Sequence, residues 1–186
     1  MISYIGYTPE NNASYAVQYQ DAFEYLFNNR SDAKKELKSY DLPLLYLLRH
    51  YMELSFKYNI EYFKDYSECQ DMLGQLSDSH DVEKLYIAFK SHLDKSIEKI
   101  PENIEIKTKI SSYFTSLKKL VDNLKELDIK GENLRYSHDK KGVITLDSNK
   151  TIDLVKDIAE PYQNCKELLD YSVYVYKDFL KKQDAV

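Results

Sequence analysis

Glycine and proline are scarce in this chain, since each occurs only four times among 186 residues. Sheets joined by tight turns use many Gly, Pro and Asn residues, because these residues suit turn conformations. A chain with so few of them is expected to fold into long helices with few connections. Seven phenylalanines, 18 tyrosines and many aliphatic residues can build a core, so the chain is expected to be globular. The sequence predicts an all-α fold in one domain spanning residues 1–186.

Five stretches have the apolar spacing and the boundary residues of helices. They are residues 8–29 with Thr8 as N-cap, 42–65, 80–99 after a capping cluster at 77–79, 104–127, and 151–181 after a capping cluster at 147–149. Pro161 is expected to kink or break the last helix, because proline removes a backbone donor. Residues 134–146 contain two short extended runs around Gly142, which predicts one small β-hairpin.

Charge and composition also limit the classes of function. The formal net charge of −5 argues against a general electrostatic hold on nucleic acid, which needs a clustered basic surface. No apolar run approaches the roughly 20 residues that cross a bilayer, and no signal peptide is recognised, so a cytoplasmic protein without membrane association is expected. Cys69 and Cys165 are isolated and are expected to be reduced. Since neither metal-ligand spacing nor a glycine-rich phosphate loop occurs, no metal or cofactor is expected.

The predicted helix at residues 42–65 is apolar over most of its circumference, which is typical of a central helix. Its polar stripe occupies an arc of about 100° and consists of Tyr46, Arg49, His50, Glu53 and Lys57. One interpretation is a solvated ladder of ion pairs, because charges spaced by four residues meet on a helix surface. The other is a functional cleft. It is favoured by the arginine and histidine at the middle of the helix, since 23 of the 26 cations are lysines.

Two further segments carry the remaining candidates. His80 and Asp81 stand at the start of the third predicted helix, where Asp81 suits the helix dipole and is equally explained as a simple helix start. Arg135, Tyr136 and His138 stand in the predicted hairpin, where a solvated turn is the alternative. Three of the four histidines and two of the three arginines belong to these segments and the polar stripe.

The same three segments resemble a group of small bacterial proteins related to HEPN domains. Residues 42–57 are similar to that group's Pro-x-x-x-Leu-x-Arg-His-x-x-Glu-Leu-x-Leu-Lys helix, residues 79–85 to its Gly-His-Asp-Leu-x-x-Leu segment, and residues 134–142 to its Phe-Arg-Tyr-Pro-x-Asp-x-x-Gly element. The resemblance implies a HEPN-like helical bundle, frequently a homodimer. It also implies a place among the ribonucleases of toxin–antitoxin, abortive-infection and other phage-defence systems.

If the chain cleaves RNA, the expected chemistry is metal-independent transesterification. Histidine suits the acid and base roles because its pKa lies near neutrality, and arginine suits the charged phosphorane because its fork binds two oxygens. The expected acid and base are His50 and His80, and the expected phosphate ligands are Arg49 and Arg135. Asp81 or Glu53 would orient a histidine. Residues expected to bind or orient further groups are Tyr46, Lys57, Tyr136 and His138.

A second interpretation makes the chain a non-catalytic interaction or regulatory protein of a defence or mobile-element system. In it the Arg, His and Glu side chains form a buried polar network, and the partner is a cognate protein rather than RNA. The spacing of Arg49 and His50 keeps this interpretation open. They are adjacent, whereas the familiar HEPN nuclease motif places its histidine four to six residues after its arginine.

Overall fold

In the computed structural model, the described residues are 11–30, 40–67, 78–99, 104–128, 134 and 152–169. Within these ranges the chain is all-α and contains no strand. The helices are α1 (Asn12–Asn28), α2 (Asp41–Ser67), α3 (Val82–Glu98), α4 (Ile104–Leu127) and α5, which is a π-helical turn (Leu154–Ala159) followed by α-helix over 160–169. Apart from Leu134, the predicted hairpin lies outside the described residues.

The bounds of the long helices agree closely with the sequence pattern. The prediction for α4 is confirmed at both ends, and α2 extends the predicted 42–65 by only one or two residues at each end. The change from π-helix to α-helix in α5 occurs at residue 160, directly before Pro161, where a kink or break was expected.

The positions of three helix starts correct the predictions. Asn11, Asp81 and Asp153 are the N-caps of α1, α3 and α5, because the side-chain oxygen of each accepts a backbone N–H of the first helical turn. The expected caps were earlier in the chain, at Thr8, at 77–79 and at 147–149. Ser, Thr, Asp and Asn cluster before each helix. Only the residue whose side chain accepts a backbone N–H of the first turn is the N-cap. The composition of the segment does not show which residue that is.

One hydrophobic core has members on all five described helices. α2 is central and packs against α1 and α3, while α4 packs against α3 and α5. Phe89 of α3 joins α2 to α4, with its ring centroid 5.5 Å from that of Phe56 and 5.8 Å from that of Phe114. Tyr162 of α5 packs edge-on against Phe23 of α1 at 5.0 Å. This packing buries Arg49 and Glu53 of the polar stripe inside the bundle, while Tyr46, His50 and Lys57 are partly buried.

Among the described helices, none is both long enough and apolar enough to span a bilayer.

Candidate functional site

Arg49 lies at the middle of α2 and is only 1 % exposed. Its Nε donates to the backbone carbonyl of Asp128 at 3.2 Å, and its Nη1 donates to Oε2 of Glu53 at 3.3 Å. Its Nη2 donates to the carbonyl oxygen of His80, and its Nε lies 3.8 Å from Oδ2 of Asp128. The guanidinium therefore ties α2 to the residue before the N-cap of α3 and to the residue after α4.

Glu53 lies one turn further along α2 and is also buried, at 2 % exposure. Its Oε1 accepts a hydrogen bond from Nζ of Lys57 at 2.9 Å and lies 2.9 Å from Nδ1 of His80. Burial alone would raise the pKa of Glu53, but hydrogen bonds and charge interactions with Lys57 and His80 outweigh burial, so this pKa lies below its ordinary value. The carboxylate is thus held in its charged form, and the interpretation as a solvated ion-pair ladder is wrong for Arg49 and Glu53.

Asp128 completes the arrangement, although the sequence did not mark it as a candidate. It is 1 % exposed, and its Oδ2 accepts a hydrogen bond from the backbone N–H of Leu134 at 3.2 Å. An aspartate just after an amphipathic helix is usually a surface residue, and only its contact with Arg49 distinguishes it. We call the set formed by Arg49, Glu53, Lys57, His80 and Asp128 the Arg49 network.

The Arg49 network brings two of the three sequence segments together and reaches the edge of the third. The polar stripe supplies Arg49, the second segment supplies His80, and Leu134 is the first residue of the third. Arg135, Tyr136 and His138 lie outside the described residues.

His80 is the solvent-exposed member of the Arg49 network. Its side chain is 61 % exposed, and its Nδ1 contacts the buried carboxylate of Glu53. Asp81 has a different role. Its Oδ1 accepts the backbone N–H groups of Glu83 and Lys84, at 3.1 and 3.2 Å, as an N-cap does. Of the two carboxylates expected to orient a histidine, Glu53 is the one that contacts the His80 ring. Asp81 is explained by its contacts as the N-cap of α3.

His50 faces α1 through its ring contacts. Its ring packs edge-on against Tyr19 of α1 at 4.4 Å and stacks on Tyr46 at 5.7 Å, all three side chains being partly buried. Arg49 and His50 are adjacent in sequence, but consecutive helical residues point about 100° apart, so the two side chains meet different neighbouring helices. The expected pairing of His50 with His80 as acid and base has no support from these contacts.

No group of three or more His, Cys, Asp or Glu side chains in the described ranges is arranged to hold a metal ion.

We expect Asp81→Ala to lower the free energy of unfolding by about 1 kcal/mol, because two amides of the first turn of α3 lose their acceptor. Urea denaturation measures the change. Lys84→Ala is the matched control, since Lys84 is exposed on the same turn and its side chain caps nothing. A loss for Asp81→Ala no larger than for Lys84→Ala would contradict the capping role.

No protein-family model, curated protein or solved structure matches this chain. The resemblance to HEPN-related proteins therefore rests on the three sequence segments alone and stays a prediction.

Proposed function

We propose that this chain is a non-catalytic helical protein that acts by binding a partner, and that the Arg49 network is structural. One observation carries the proposal: Arg49 is buried, and all three of its nitrogens donate to protein oxygens. The HEPN resemblance suggests the setting, a bacterial defence or mobile-element system in which the partner is a cognate protein.

Arg49 is poorly placed to bind a phosphate. A phosphate ligand needs guanidinium N–H groups that face an open surface, whereas those of Arg49 face one carboxylate and two backbone carbonyls inside the bundle. Redirecting them to RNA would leave the buried carboxylate of Asp128 without its cation and would take one partner from Glu53, which keeps Lys57. Leaving a buried charge without its partner costs roughly 3–5 kcal/mol, so this rearrangement is strongly disfavoured.

The Arg49 network instead suits a structural role, in which it holds α2, α3 and α4 in one relative position. It links the middle of α2 to the start of α3 and to the end of α4 at backbone positions, where a shift of one helix would break several hydrogen bonds at once. A partner-binding protein needs such a fixed arrangement, because a surface that is already ordered loses less entropy on binding.

RNA cleavage is the second candidate, and the His80–Glu53 pair favours it. A carboxylate on Nδ1 fixes the orientation of an imidazole and leaves Nε2 to exchange protons with a substrate. In transesterification, Nε2 would take the proton of the 2′-hydroxyl group. Lys57, which also binds the carboxylate of Glu53, would supply a cation beside the phosphate.

An RNA-cleavage assay separates these two candidates. Purified wild type, His80→Gln and Lys84→Gln are incubated with a mixture of short single-stranded RNAs without added metal. Gln can still donate to Glu53 but cannot transfer protons, and Lys84 is an exposed neighbour of the cap. We expect intact RNA in all three samples. Cleavage by wild type and Lys84→Gln, but not by His80→Gln, would overturn the non-catalytic proposal and support the second candidate.

Partner binding is tested directly by co-expressing the chain with the proteins encoded beside it. Size-exclusion chromatography with light scattering measures the mass of any complex and of the chain alone. We expect a complex of fixed stoichiometry with one neighbouring product. A chain that elutes alone in every combination would contradict a cognate protein partner, and its mass reports whether the expected homodimer forms.

A further inference from the structure

A buried histidine joins α2 to α3 far from the Arg49 network. His92 of α3 is fully buried, and its Nδ1 lies 2.6 Å from Oγ of Ser67, the last residue of α2. Ser67 is 18 residues beyond Arg49, or about 27 Å along the helix at 1.5 Å per residue. The pair thus fastens the C-terminal end of α2 to the inner face of α3.

One arrangement of protons gives an acceptor to both the N–H hydrogen of His92 and the hydroxyl hydrogen of Ser67. Nδ1–H of His92 donates to Oγ of Ser67, and the hydroxyl hydrogen of Ser67 donates to the carbonyl of Lys64, 3.4 Å away. Nε2 of His92 then carries only a lone pair. It is buried and has no hydrogen-bond partner among the residues that the structure describes.

Protonation of His92 would disturb this arrangement. A proton on Nε2 would bury a positive charge and an N–H group without an acceptor in the described part of the chain, and both are costly away from water. In agreement, burial lowers the pKa of His92 and is the sole cause of the shift.

The surrounding charged groups do not offset the positive charge. The ionisable side chains on the adjoining turns are Glu61, Tyr62, Lys64 and Tyr66 of α2 and Lys90, Asp94 and Lys95 of α3. On α4, Lys118 and Asp122 lie near Tyr86, which precedes His92 on α3. Most of the charged ones pair with each other, as Glu61 with Lys64, Asp94 with Lys90, and Asp122 with Lys118. None of these groups contributes to the pKa shift of His92.

We propose that His92 and Ser67 form an acid-sensitive latch, which holds the end of α2 against α3 at neutral pH and releases it on acidification. In the closed state the imidazole is neutral, and in the open state it regains its ordinary pKa of about 6.5. Opening therefore takes up a proton below that pH. The closed contact is fully stable above about pH 6.5, and its opening constant rises up to about tenfold for each pH unit below it.

Hydrogen exchange tests the latch in the intact chain. Exchange of the backbone amides is measured at pH 7.5, 6.5 and 5.5, and the rates are corrected for the intrinsic effect of pH. Wild type is compared with His92→Asn, whose amide can bond Ser67 without titrating, and with Lys84→Gln as the control for an exposed substitution on α3. Both variants are checked for native helix content by circular dichroism.

We expect opening at residues 60–67 in wild type and Lys84→Gln to rise about fivefold between pH 6.5 and 5.5, and about tenfold between pH 7.5 and 5.5. Opening at residues 44–53 should stay constant, and His92→Asn should remove the pH dependence. If His92→Asn fails to fold, the wild-type NMR titration decides. A His92 signal that titrates near pH 6.5 in the folded chain would overturn the proposal, as would corrected exchange at residues 60–67 that does not change with pH.

Discussion

Arg49→Ala is expected to lower the free energy of unfolding by about 3–5 kcal/mol, because it leaves the buried carboxylate of Asp128 without its cation and removes one partner of Glu53. Glu53 would keep Lys57 and His80, but Asp128 would lose its ion pair with Arg49. The carbonyls of His80 and Asp128 would also lose a donor. Small domains are stable by only about 5–15 kcal/mol, so the expected change is a large part of the total. Urea denaturation monitored by circular dichroism measures it.

Arg30→Ala is the matched control for Arg49→Ala. Arg30 is partly exposed, stacks on the ring of Phe27 at 3.7 Å and donates to its carbonyl, so its loss should cost below about 1 kcal/mol. If Arg49→Ala unfolds at the same urea concentration as Arg30→Ala, the Arg49 network is not structural. That result would remove the observation on which the non-catalytic proposal rests.

A double-mutant cycle tests whether Arg49 and Glu53 stabilise the fold as a pair. Replacing both Arg49 and Glu53 with methionine removes both charges of the pair at once. We expect the double variant to be more stable than the sum of the two single losses implies, because neither charge is then left unpaired. Additive losses would show that the two side chains do not act as a pair.

Phe89→Ala should destabilise the fold by about 3–5 kcal/mol, through lost apolar burial and the cavity left behind. Phe89 is fully buried where α2, α3 and α4 meet, and its ring contacts those of Phe56, Phe63 and Phe114. Tyr86 of α3 also contacts Phe56 and Phe114, at 6.3 and 6.2 Å, but Phe89 makes the closer contact with each of them. Thermal and urea unfolding both measure the loss.

Ile87→Ala provides the comparison for Phe89→Ala on the same helix. Ile87 is 55 % exposed, so its truncation should change the free energy of unfolding by less than about 0.5 kcal/mol. Comparable losses for the two variants would mean that α3 is oriented differently from the packing described above.

The Arg49 and RNA experiments together distinguish the two candidate functions. A large loss of stability in Arg49→Ala with intact RNA supports a structural network in a partner-binding protein. Cleavage that depends on His80 would instead assign the His80–Glu53 pair to catalysis, with Arg49 as a positioning residue, since it holds the backbone of His80.

Local sequence patterns determined the helices and their inner faces. The apolar spacing of α3 places Val82, Leu85, Phe89 and Leu93 on one face of the helix, and all four are buried. The pattern also fixed both ends of α4 and most of α2. These features are predictable because the 3.6-residue period is a property of the backbone itself, and it sorts apolar from polar side chains wherever the helix is placed.

Only the tertiary structure decided what the polar stripe of α2 contacts. The stripe looked uniform in sequence, yet Arg49 binds Asp128, which is 79 residues away, while His50 packs against Tyr19 of α1. Whether a charged residue is solvated or buried depends on the groups that surround it, and those groups come from distant parts of the chain. A helical period specifies the direction of a side chain but not its partner, so the Arg49 network could be described only once the helices were packed.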